Sequence, residues 1–220
     1  MGKTADPLSW LSPENKDATS ESPTDFECYN CWVNTFKLQL GYHFGDIDMA
    51  LAGGKGSRVG ESVAKTSYYI TFQLLYDGMA CLEKANFSDK RKHVKGAKKV
   101  IKRMKFLAKE CPENNLHKLY ILQGELCALE GKLEMALKLY NQAINHAMEQ
   151  GVTQLQALAQ ERASVALQRL GDPTSTKHSE AIKFMKQAIA SYERWGAAAI
   201  VFRLAGILEG MEGKDCAIAS

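Results

Sequence analysis

No stretch of this chain approaches the ~18 uninterrupted apolar residues that a membrane-spanning helix requires. Its start, MGKTADPLSW, has no apolar core of the kind that marks a secretory signal. Sustained alternation of apolar and polar strand residues is missing as well, which argues against sheets, sandwiches and barrels. Cysteine is present but scattered: Cys28, Cys31, Cys81, Cys111, Cys127 and Cys216 do not crowd into the small scaffold that disulfides would staple. They read as reduced residues of an intracellular protein. Acidic residues are missing from one window. Between Lys90 and Lys109 there are ten Lys or Arg and no Asp or Glu, although the whole chain carries a net charge of only +3. The expectation is a soluble, all-α, cytoplasmic chain with one basic helix.

What is present is a helical signature that occurs twice. Ala136-x3-Tyr140-x2-Ala143 and Ala181-x3-Met185-x2-Ala188 each follow a glycine, Gly131 or Gly171, that ends a preceding apolar helix. Small, large and small residues at offsets of 0, 4 and 7 share one helix face. The alanines admit a close neighbour, and the large side chain fills the space between them. That is the packing logic of tetratricopeptide hairpins, each of which buries its apolar face against the next. A degenerate earlier copy follows Gly45 at Ala50, with Gly54 and Ser57 in the later positions. The fold class expected is therefore all-α, with tetratricopeptide-like antiparallel helix hairpins stacked as an α-solenoid.

Residues 1–24 hold Pro7, Pro13 and Pro23 among Ser, Thr, Asp and Glu, and read as a disordered tail. The repeat domain spans 25–209, and 210–220 reads as a flexible end. Within the domain, a first helix runs from Asp25 to Gly41. Another spans 62–84, and Ser88-Asp89 caps the basic helix, with its apolar stripe Val94, Ala97, Ile101, Met104 and Ala108. Helices follow at about 115–130, 132–150, 153–170, 177–195 and 197–209, closed by Gly131, Gly151, Gly171, Gly196 and Gly210. Asp172 to Thr176 is an insertion at a hairpin tip.

No catalytic set emerges. Cys28-x-x-Cys31 lacks the second Cys or His pair of a zinc site and the preceding strand of a redox motif, so it reads as two core cysteines on one helix face. Gly53-Gly54-Lys55-Gly56-Ser57-Arg58 lacks the glycine spacing of a phosphate loop and reads as an interhelical loop. His43, His93, His117, His146 and His178 form no metal or nucleophile–base pattern and read as surface or capping residues. Cofactors and metals are not expected. The basic helix 90–109 reads as a solvated face or as a surface for an anionic partner; without interleaved exposed aromatics it gives no basis for specific nucleic-acid binding.

The segment Cys111-Pro-Glu-Asn-Asn-Leu-His-Lys118, the repeat pair and Tyr192-Glu-Arg-Trp-Gly-Ala197 together resemble the helical repeat region of large STAND ATPase, Ser/Thr kinase and sensor histidine kinase or cyclase hybrid signalling proteins. The likeness spans roughly 25–208 and departs at Asn115, where that family usually has Phe, and at the 172–176 insertion. None of the kinase, ATPase or output motifs is present. The resemblance implies a regulatory spacer, or a fragment of a multidomain protein whose catalytic domains lie elsewhere.

From the repeat pattern, the first helix of each hairpin lines a groove, with Lys118, Glu125, Glu161, Gln168 and Arg169 facing a protein partner or a second copy of the chain; a structural role for these five stays open. Glu134 is read the same way, as an interhelical carboxylate. Trp195 is expected as a core plug between the last two helices. The function expected is a non-enzymatic interaction or scaffold module in signal transduction.

Overall fold

The computed structural model describes residues 23–59, 69–171 and 176–218. Expectations for the N-terminal tail up to residue 22, for the helix start over 62–68 and for the insertion at 172–175 lie outside the described residues.

The described residues form nine helices and no strand: α1 (Pro23–His43), α2 (Ile47–Val59), α3 (Tyr69–Lys84), α4 (Lys90–Glu110), α5 (Pro112–Leu129), α6 (Leu133–Glu149), α7 (Thr153–Leu170), α8 (Thr176–Trp195) and α9 (Ala198–Ile218). Each helix packs on its successor, and α1 with α3, α3 with α5 and α5 with α7 also touch. None of these helices is long and apolar enough to cross a membrane.

Local chemistry sets the ends. Asp89 caps α4 by accepting from the Lys92 N–H at 3.2 Å. Pro112 opens α5 at a position where a missing N–H loses nothing. Gly131, Gly151 and Gly196 all take positive φ and close α5, α6 and α8 alike: the following N–H reaches back five residues, Lys132 to Cys127, Val152 to Ala147 and Ala197 to Tyr192.

The repeat signature is core. Ala136, Tyr140, Ala143, Ala181, Met185 and Ala188 are all fully buried. The same offsets are buried on α2 (Ala50, Gly54, Ser57) and on α4 (Ala97, Ile101, Met104). The α4 copy escaped sequence reading because Met104 stands where a small residue was sought.

Three expectations change. Residues 53–58 are not a loop but the middle of α2. Their glycines let α2 press onto its neighbours: a Cβ at Gly53 would stand 2.7 Å from the Asn34 carbonyl and the Leu38 N–H of α1, and one at Gly54 would stand 2.6 Å from the Asp77 carboxylate of α3. Gly41 does not stop α1, because its bare Cα faces Ala50 and Asp46 across the same contact. At the other end α9 passes Gly210 and continues to Ile218.

Candidate functional site

The residues expected to line a groove are mostly enclosed. Lys118, Glu125 and Glu161 are buried, while Gln168 and Arg169 are exposed. The last turn of α1 accounts for part of this. The His43 ring shares a 2.8 Å hydrogen bond with the Tyr76 hydroxyl of α3 and lies edge-on to Tyr192 of α8, 6.3 Å away. The Tyr42 ring lies 5.9 Å from the Arg162 guanidinium of α7. The chain thus fills its own interior where the odd-numbered helices meet.

Two ion-pair clusters lie there. Arg162 grips Glu125 with Nε and Nη2, both at 2.8 Å, and Nη2 also reaches Glu83 of α3 at 3.2 Å. The Tyr140 hydroxyl donates to Glu125 at 2.6 Å. In the second cluster Glu161 accepts from the Tyr192 hydroxyl at 2.9 Å and from Arg203 of α9 at 2.7 Å. Burial raises the pKa of Tyr140 and Tyr192, and the neighbouring carboxylate raises each further. Glu125 keeps Arg162 charged against the desolvation that burial imposes. A carboxylate matched by a bidentate arginine and a phenol is satisfied rather than reactive. These are bolts between hairpins, not acid–base machinery.

Lys118 is buried as well. Its Nζ donates to the Asn114 carbonyl and lies 4.7 Å from the centre of the Phe72 ring, and burial lowers its pKa to about 8. Next to it the His117 and His146 rings stack at 5.4 Å, with their Nδ1 atoms 3.2 Å apart. Burial, followed by Lys118 and His146, lowers the pKa of His117 to about 3. Asn115 is buried because its amide donates to the Leu107 and Cys111 carbonyls and ties the end of α4 to α5. No group of three or more metal-ligating side chains assembles among the described residues. Cys31 is buried, its thiol 3.3 Å from the Ser57 carbonyl, as a core cysteine would be; the Cys28 side chain lies outside the described set.

Trp195 is not a core plug. It is 48% exposed, and the fully buried aromatic at the end of α8 is Tyr192, whose ring centre is 6.3 Å away. The hydroxyl of Tyr192 finds Glu161 inside, so the phenol is buried with its polar atom satisfied.

The open feature lies between α4 and α5. A groove of about 760 Å³ is lined by Lys90, Arg91, Val94, Lys95, Lys98, Lys99, Lys102, Leu126, Leu129 and Glu130. The apolar stripe of α4 faces inward through Ala97, Val100, Ile101, Met104 and Ala108. This turns the lysines outward along one wall. The opposite wall, from α5, is Leu126 and Leu129, and its one acid, Glu130, is paired with Lys132 at 2.7 Å. One aromatic does stand among the cations, contrary to expectation: Phe106 is 64% exposed, one turn beyond Lys102. A second groove, of about 500 Å³ between α6, α7 and α8, mixes Gln156, Gln160 and Gln187 with Glu180, Lys183 and Arg194, and so has no dominant charge. The α4–α5 groove was half legible, since the run of lysines is plain in the sequence. Its apolar wall comes from residues 126 and 129, whose place beside α4 only the fold reveals.

Protein-family models, curated proteins and solved structures were all compared with the chain, and none matches it.

Proposed function

We propose that this chain is a tetratricopeptide-like helical array that acts as a non-enzymatic interaction module in signal transduction, and that its partner docks in the α4–α5 groove rather than in the interior. One observation carries the reading: three of the five residues first expected to contact a partner, Lys118, Glu125 and Glu161, are buried and bonded to other groups of the chain, whereas the groove on α4 is open and its charge is almost all of one sign. Adjacent cations at i and i+4, such as Arg91 with Lys95 and Lys98 with Lys102, repel one another along a helix. An anionic partner relieves that repulsion. The signature faces on α2, α4, α6 and α8 and the paired packing of neighbouring helices support the repeat assignment.

A second reading places the chain as a spacer within a larger ATPase, kinase or cyclase signalling protein. It rests on the resemblance over roughly residues 25–208 and on α9, whose Phe202 is 85% exposed where a further element of a larger protein has room to pack.

The test is affinity capture from cell extract with the wild type and with Lys95→Glu/Lys98→Glu/Lys102→Glu, followed by identification of whatever is retained. All three positions are exposed, so the variant should keep its thermal midpoint. A partner held by the wild type and released by the folded variant supports docking in this groove. Equal retention by both proteins removes the groove from the proposal.

A further inference from the structure

The two walls of the α4–α5 groove differ. The α4 wall carries Arg91, Lys95, Lys98 and Lys102 in one line, and the α5 wall offers Leu126 and Leu129. From Arg91 to Lys102 the helix rises about 16 Å, three turns. At the far end of the line Phe106 adds an exposed apolar step. A flat anionic surface would meet the lysines and leave the leucines uncovered. A polyanion would do the same.

We infer that the occupant of this groove is an amphipathic acidic helix of a protein partner, about three turns long, with carboxylates along one edge and aliphatic side chains along the adjacent edge. The inference rests on the interaction-module reading given above. Such a helix lays its apolar edge on Val94, Leu126 and Leu129, as in other helix-in-groove complexes, while its carboxylates align with the cations of α4. Length follows from the three-turn line of charge. Orientation across the groove follows from the walls, because the acidic edge must face α4 and the aliphatic edge α5. Lys90 and Glu130 mark one end of the groove: the Lys90 ammonium lies 3.5 Å from the Leu129 carbonyl, at the carbonyl end of α5. Charge brings the partner in and fixes its register, and the apolar wall separates an amphipathic helix from a simple polyanion.

The experiment measures fluorescence anisotropy of the full chain against defined probes. The first is a synthetic peptide of about eleven residues, three helical turns, with Leu on one face and Glu on the flanking face. Its companions are a scrambled peptide of the same composition, an oligoglutamate of equal charge, phosphatidylserine-containing vesicles and a short DNA duplex. The amphipathic peptide should bind at least about tenfold more tightly than any other probe. Its affinity should fall by about tenfold or more in Lys95→Glu/Lys98→Glu/Lys102→Glu and, at unchanged charge, in Val94→Ser. Moderate salt should weaken it without abolishing it, because the aliphatic contact is not screened. Equal binding of the scrambled peptide, oligoglutamate, vesicles or DNA would overturn the inference in favour of unspecific charge attraction. So would binding that survives both variants, or no binding of the amphipathic peptide. If the peptide fails while a partner captured from extract still depends on the three lysines, the occupant class falls and the module reading stands.

Discussion

At the scale of single residues, the chain keeps more charge and imidazole inside than its ordinary composition suggests. His117 has a pKa lowered to about 3 by burial, by Lys118 and by His146; His43 is lowered to about 4 by burial, with Glu161 opposing and Arg203 reinforcing the shift. Both must be neutral when folded, whereas unfolded histidine takes up a proton near pH 6.5. Since the folded pKa values lie below the unfolded one, their contribution is full above about pH 6.5. It is lost as pH falls toward 4 for His43 and toward 3 for His117. The urea midpoint should therefore drop steadily between about pH 7 and about pH 4.5, and His117→Gln should flatten that slope. A midpoint independent of pH over this range would mean the two rings are not held neutral. Sequence reading placed these histidines at the surface or at caps. The reason is physical: the groups that share the pocket with His117 come from α5 and α6, and those around His43 from α3, α7, α8 and α9.

At the scale of helices, glycine carries opposite meanings at two places in one chain. In α2 a Cβ at Gly53 would press on α1 backbone atoms at 2.7 Å, which cannot swing aside, whereas at Gly210 of α9 it would meet nothing within 4 Å. Replacing glycine by alanine inside an isolated helix stabilises it by about 1 kcal/mol. Gly210→Ala should therefore raise stability by up to about 1 kcal/mol. Gly53→Ala should lower it, by about 1–3 kcal/mol as overpacked contacts do. Chemical denaturation of the two variants reads both signs, and a stabilised Gly53→Ala would contradict the close α1–α2 contact. The same residues explain why 53–58 looked like a loop. Glycine is a weak helix former, and only the approach of α1 and α3 supplies the compensating contact.

At the scale of the molecule, the N-terminal helix touches the C-terminal half. Tyr42 and His43 of α1 meet Tyr76 of α3, Arg162 of α7 and Tyr192 of α8, and Arg162 links α3, α5 and α7 through Glu83 and Glu125. An open linear array has only nearest-neighbour contacts and can melt piecewise. This chain should unfold in one transition, with far-UV circular dichroism and tryptophan emission coinciding, since Trp32 and Trp195 report from α1 and α8. Tyr42→Ala/His43→Ala should pull the two curves apart while leaving most of the helix content. Curves that still coincide in the double variant would show that the contact at the end of α1 is not what couples the halves.

Much of the fold was written in local chemistry. The signature positions, the glycines that end α5, α6 and α8, the Asp89 cap and the inward stripe of α4 each depend on neighbours within a few turns, and a helix face is periodic whatever it packs against. The sequence by itself determined that the chain is helical, where most helices turn, that the repeated signature residues are core and which helix is basic. The tertiary structure alone decided that Glu125 and Glu161 lie inside, that Tyr192 rather than Trp195 is the buried ring, and that the lysines of α4 face Leu126 and Leu129 across a groove. A charged side chain can be buried only when its counter-charge arrives, and Arg162 and Arg203 reach these carboxylates from 37 and 42 residues away. Pairings over that distance leave no period in the sequence, because they are set by how whole helices stack.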